Sequence, residues 1–119
     1  MEISLIDIGK VVDERGELNF IDLQSQIPFT IKNFFFIKNV PQNKKRGCHS
    51  NQKTHEILIM VSGSLEVKLN KKKHFKLTSN NNKGLLIPSQ NWIELYNFSN
   101  DAICVVLGSE SYDEDEKKN

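Results

Sequence analysis

Glu56-Ile-Leu-Ile-Met-Val-Ser-Gly-Ser-Leu-Glu-Val-Lys-Leu69 is the stretch that decides the fold. In its second half Leu65, Val67 and Leu69 alternate with Glu66 and Lys68, as a strand with one buried and one wet face requires. Its first half, Ile57 to Val61, is apolar throughout and predicts a strand covered on both faces. Ser62-Gly63 between them predicts a tight hairpin. Outward from this stretch, short runs of Ile, Val, Phe and Leu recur between clusters of Asn, Gly, Pro, Ser and Lys. Strands are expected at 17–22, 30–38, 47–51, 56–61, 64–69, 74–77, 84–87, 92–96 and 102–107. Helical periodicity is hard to find anywhere, so the chain reads as an all-β antiparallel sandwich or barrel.

The connections agree with that reading. Asn70 to Lys73 is a polar link whose lysines form a solvated hairpin tip, Ser79 to Gly84 is a looser loop, and Pro88 to Asn91 precedes the Trp92 strand. The 119 residues suit one domain spanning 1–119, and the charged tail from about residue 113 is expected to fray. Charged residues are 26% and the net charge is +1, so nothing in the electrostatics argues for a nucleic-acid partner. No apolar run nears the roughly 18 residues of a membrane helix. The N-terminus lacks the basic and apolar regions of an export signal, which predicts a cytoplasmic protein with Cys48 and Cys104 reduced.

Chemistry concentrates in Arg46-Gly-Cys-His-Ser-Asn-Gln-Lys-Thr-His-Glu56. Strand alternation puts Gly47, His49 and Asn51 on one face and Cys48 and Ser50 on the other. Gly47 leaves room beside His49 for a ligand approaching the sheet. Glycine, His-x-His, a later Glu and a hairpin glycine make up the first motif of the cupins, the double-stranded β-helix or jelly-roll-type antiparallel barrels, and this segment resembles it. Metal-binding cupins add a histidine in a second motif. Here Asn51 stands at the second His position and 88–96 contains no histidine. One imidazole, an amide and a carboxylate make a poor transition-metal site, so no metal is expected. His55 and His74 read as surface histidines.

More of the chain resembles a metal-independent cupin branch, the TDP-4-keto-6-deoxyglucose 3,4-ketoisomerases of bacterial sugar biosynthesis. The likeness is carried by Asp13-Glu-Arg-Gly16, Ile27-Pro-Phe-Thr-Ile-Lys32, Arg46-Gly-Cys-His49, Lys53, Gly63-Ser64, Trp92-Ile-Glu94, Asn97-Phe-Ser99 and Ser111-Tyr-Asp-Glu114. It implies a homodimer of barrels, often with exchanged N-terminal strands, that binds a TDP-sugar in the barrel mouth without a cofactor. The reaction it implies moves a ketone from C4 to C3: a base takes the C3 proton, an enediol(ate) forms, and a proton is delivered to C4. Such chemistry needs a base near neutral pKa, a proton donor and hydrogen bonds to an oxyanion.

His49 suits the base, and Arg15, Arg46 and Lys53 are the candidates for the diphosphate. The family pattern is Arg-Gly-x-His-Ala-His-Lys with a later Gln. This chain departs from it at Asn51, Gln52 and Glu56, and Asn33-Phe34-Phe35-Phe36 lacks the family's tyrosine. Asn51 cannot relay a proton, though it can hold a hydroxyl or an oxyanion. His49 therefore acts alone with Asn51 as oxyanion donor, or Glu94 or Tyr96 takes the second role; Trp92, Glu94 and Tyr96 share one strand face and are further candidates for substrate binding. These readings predict an isomerase acting in deoxysugar, O-antigen or capsule synthesis. The alternative is a non-catalytic nucleotide-sugar-binding cupin, and a metal-dependent cupin is the third reading.

Overall fold

The computed structural model describes residues 1–113 and 117–118. The chain forms β1 (Ser4–Asp7), β2 (Gly9–Asp13), β3 (Gly16–Phe20), β4 (Asn33–Lys38), β5 (Arg46–Asn51), β6 (Glu56–Ser62), β7 (Ser64–Leu69), β8 (Lys73–Thr78), β9 (Lys83–Ile87), β10 (Trp92–Tyr96), β11 (Ile103–Gly108) and β12 (Lys117–Lys118). They make two five-stranded antiparallel sheets, β1-β9-β6-β11-β4 and β12-β5-β10-β7-β8, and a separate β2-β3 hairpin. This is the expected all-β cupin-type architecture. The nine expected strands all form, with ends shifted by a few residues. The tail expected to fray lies outside the described residues except for Asp113 and β12, which pairs with the edge of β5.

The core lies between the sheets. β7 buries Leu65, Val67 and Leu69 to 0% exposure, as its alternation demands, against Leu58, Met60, Cys104 and Val106 of the facing sheet. Burying each such aliphatic side chain is worth about 1.5–3 kcal/mol relative to exposure. Both cysteines are free, and burial pushes the Cys104 thiol up to about 12.

A second, smaller cluster of Ile6, Ile27, Ile57 and Leu86 sits on the outside of the β6 sheet, beneath the 21–31 segment. It covers only the start of β6. Ile57 is fully buried, whereas Val61 on the same face is 57% exposed, so the expectation of a strand covered on both faces holds for one end alone.

Ser62-Gly63 does not turn a hairpin. β6 pairs with β9 and β11, whereas β7 pairs with β8 and β10, so the chain crosses here from one sheet to the other. Gly63 has φ +70, and a Cβ there would run into Ser99 and Asp101 and reach 2.9 Å from Ala102 Cα. Only glycine fits the corner. The Asn70 link is a true hairpin. Asn70 and Lys71 both have positive φ, and Lys72 N donates to Leu69 O at 3.1 Å, closing a tight turn between the paired Leu69 and Lys73.

Candidate active site

A cavity of about 310 Å³ opens between the sheets. Phe35 and Ile37 of β4, Leu58 of β6 and Val106 of β11 form one wall, and Ile93 and Leu95 of β10 form the other. Polar chemistry enters this apolar chamber from few places: Arg46 and His49 on β5, Glu56 on β6, and Tyr112. Tyr112 packs edge-on against Phe35, with ring centroids 6.3 Å apart. Apolar walls with a few convergent polar groups are the usual build of a small-molecule site.

A β-bulge aims β5. Ile93 pairs with His49 but Glu94 pairs with Gly47, leaving Cys48 as the extra residue. Gly47 has φ +80 and Cys48 φ +58, and a Cβ on Gly47 would sit 2.9 Å from the Ile93 carbonyl oxygen. The missing Cβ at Gly47 makes room for the neighbouring strand's backbone, and Gly47 also borders the His49 cavity. Strict alternation would turn Arg46 away from His49, three residues on. With the extra residue, Arg46 comes opposite inward-facing Leu95 and lines the same cavity as His49.

Asn51 lies on the same face as His49 but is 2% exposed and not part of the cavity wall. Among the described residues its Oδ1 has no hydrogen-bond partner, while its backbone carbonyl accepts from Gln90 N at 2.7 Å. Lys53 lines an adjoining cavity of about 560 Å³ with Lys32 and Glu110, and Tyr112 borders both chambers. Arg15 stands at the tip of the β2-β3 hairpin, its side chain 83% exposed, and pairs with Asp13 at 2.6 Å. Arg15 is absent from the His49 cavity of its own chain, and the pairing holds the Asp13 carboxyl below its usual range.

Trp92, Glu94 and Tyr96 share a face, as alternation predicts, but it is the outer one, because Ile93 and Leu95 take the inner. Neither Glu94 nor Tyr96 borders the His49 cavity, which corrects the expectation of a second catalytic role for either and of pocket contacts for all three. Glu94 accepts from Lys45 Nζ at 3.1 Å and from Trp92 Nε1 at 3.1 Å, and the Lys45 hydrogen bond holds its carboxyl below the usual range. The Tyr96 hydroxyl lies 3.2 Å from His74 Nδ1.

His55 is a structural latch. Ser89 N donates to its Nδ1 at 2.9 Å, and its own backbone N donates to Ser109 Oγ at 2.8 Å. Among the described residues no three His, Cys, Asp or Glu side chains gather where a metal ion would need them. Glu56 is the residue the sequence reading left out of the site. Its signal was there: Glu56, Leu58 and Met60 alternate onto one face of β6, and that face is the core.

Residues 1–118 match the family described as WxcM-like, C-terminal (FdtA). The chain belongs to this family. It is 32% identical over 116 residues to the TDP-4-oxo-6-deoxy-alpha-D-glucose-3,4-oxoisomerase of Aneurinibacillus thermoaerophilus, covering 96% of this chain and 84% of that protein. Among solved structures it resembles QdtA, a sugar 3,4-ketoisomerase from Thermoanaerobacterium thermosaccharolyticum in complex with TDP. The TM-score is 0.89 and the identity 33%, over 97% of this chain and 85% of that one. A 3,4-ketoisomerase from Helicobacter canadensis gives a TM-score of 0.90 and 33% identity over 98% and 90%.

Proposed function

We propose that this protein is a 3,4-ketoisomerase acting on a TDP-linked 4-keto-6-deoxyhexose in bacterial deoxysugar synthesis, with His49 as the base at C3. The observation that carries the reading is the bulge that turns Arg46 and His49 together into an apolar chamber, in a chain whose relatives are TDP-sugar ketoisomerases. A neutral imidazole offers one ring nitrogen as the acceptor for the C3 proton. Arg46 offers a forked donor to the diphosphate, and Lys53 with Lys32 adds charge in the adjoining chamber. Asn51 lies on the same face as His49 but outside the cavity wall, so the reading gives it no direct contact with the sugar.

The working form in this proposal is a cytoplasmic homodimer. Phe34 and Phe36 are 58% and 53% exposed on the outside of β4, and Val12, Leu18 and Phe20 are exposed on the hairpin. Such a surface needs a cover, and a second copy supplies one that also brings Arg15 toward a partner's site. Light scattering of the purified protein should give twice the 13.7 kDa chain mass.

Incubation with TDP-4-keto-6-deoxyglucose in deuterated solvent tests the activity. Loss of the C3 proton signal and growth of a 3-keto product are expected by NMR. Saturable TDP binding with neither change would favour a non-catalytic binding protein instead.

A further inference from the structure

The His49 cavity contains a second group able to carry a proton. Glu56 opens β6 on the sheet facing His49, and it is 8% exposed. The short 52–55 link joins β5 to β6, so the two residues face each other across the same end of the sandwich. A hexose ring lying between two sheets presents one face to each wall.

Resting on the ketoisomerase reading above, we infer that Glu56 delivers the proton to C4, from the ring face opposite the one His49 serves. The product then has the gluco configuration at C4. His49 takes the C3 proton, the C3–H pair forms a C3=C4 bond, and the carbonyl π pair moves onto O4. The hydroxyl proton passes from O3 to O4, the O3 pair re-forms a carbonyl at C3, and the C3=C4 pair takes the proton that Glu56 carries in its acid form. His49 is left protonated and Glu56 ionised, and proton exchange with solvent through the open mouth resets both. Nothing is oxidised or reduced overall.

Ring geometry makes this a stereochemical statement. In a gluco-configured substrate the C3 hydrogen is axial on one ring face. A gluco product places its C4 hydrogen on the opposite face, whereas a galacto product places it on the same face. One shuttling group returns the proton to the face it came from and gives galacto. Two groups on opposite walls give gluco.

Two measurements with TDP-4-keto-6-deoxyglucose decide the matter. The unmodified protein should yield a 3-keto sugar with the large trans-diaxial H4–H5 coupling of the gluco form. Glu56→Gln, close to isosteric, should keep TDP binding by calorimetry and C3 deuterium exchange, while product formation falls at least about a hundredfold. A galacto product would overturn the assignment while leaving the isomerase reading intact. So would a Glu56→Gln variant within threefold of the parent, or one that loses C3 exchange while still binding TDP. Should that variant fail to bind TDP, the product configuration of the unmodified protein decides alone. No conversion by the unmodified protein would overturn the isomerase reading and this assignment with it.

Discussion

β10 has two faces built of different materials, and the contrast separates architecture from chemistry. Inward, Ile93 and Leu95 give the cavity a wall without a hydrogen-bonding side chain. Outward, Trp92, Glu94 and Tyr96 join Lys45, Lys68, Lys71 and His74 in a surface network of one ion pair, two further hydrogen-bond contacts and three cation–ring contacts. Residue types alone would make the outer face the active site. Yet its polar groups already satisfy one another on the outside of the barrel. On the inner side a few polar groups stand among apolar ones, where each interaction is strengthened by the low dielectric.

Substitutions can break that contrast. The largest effect is expected for His49→Asn, which should lower turnover of TDP-4-keto-6-deoxyglucose by about 10²- to 10⁴-fold while leaving TDP binding nearly unchanged. Gly47→Ala comes next. It forces a side chain into a left-handed backbone against the Ile93 carbonyl, and should cost about 1–3 kcal/mol in urea unfolding and weaken TDP binding as the bulge shifts. Arg46→Ala should weaken TDP about tenfold to a hundredfold by calorimetry, with Lys53→Ala costing less.

Outer-face changes should do least: Glu94→Gln and Tyr96→Phe are expected to stay within about twofold of the parent rate, since neither side chain reaches the cavity. The Glu94 pair still has a pH signature. Its carboxyl titrates below the usual value in the folded protein, so the pair stabilises fully above that value and the contribution disappears as pH falls through the lowered one. Lys45→Met should therefore lower Tm slightly at pH 7, and the difference should shrink as the pH falls below the ordinary carboxylate range.

The strands that build both sheets were legible because each buries one face, and burial writes itself into alternation, as Leu65, Val67 and Leu69 do. What alternation cannot express is pairing. Ser62-Gly63 has the same turn chemistry whether the chain doubles back or crosses to another sheet, and only distant partners distinguish the two. β1 and β2 went unread because one is four residues long, with a partner some eighty residues away, and the other lies in an exposed hairpin.

At the site, His49 was legible from its motif, whereas Arg46's inward aim depends on a bulge that only Gly47 hinted at. The outward face of Trp92, Glu94 and Tyr96 was implied by apolar Ile93 and Leu95 between them, since a strand turns its apolar set to the core. Glu56 was hidden by its motif, in which it reads as a remnant of a metal site.

The place of β11 bears on how the protein is made. Residues 103–108 fill the gap between β6 and β4, and β1 waits for residues 83–86 before it has a partner. Folding is therefore slow for the size, because most of the pairings are long-range. A nascent chain stalled before Gly108 exposes two unpaired apolar edges, a substrate for chaperones or for aggregation.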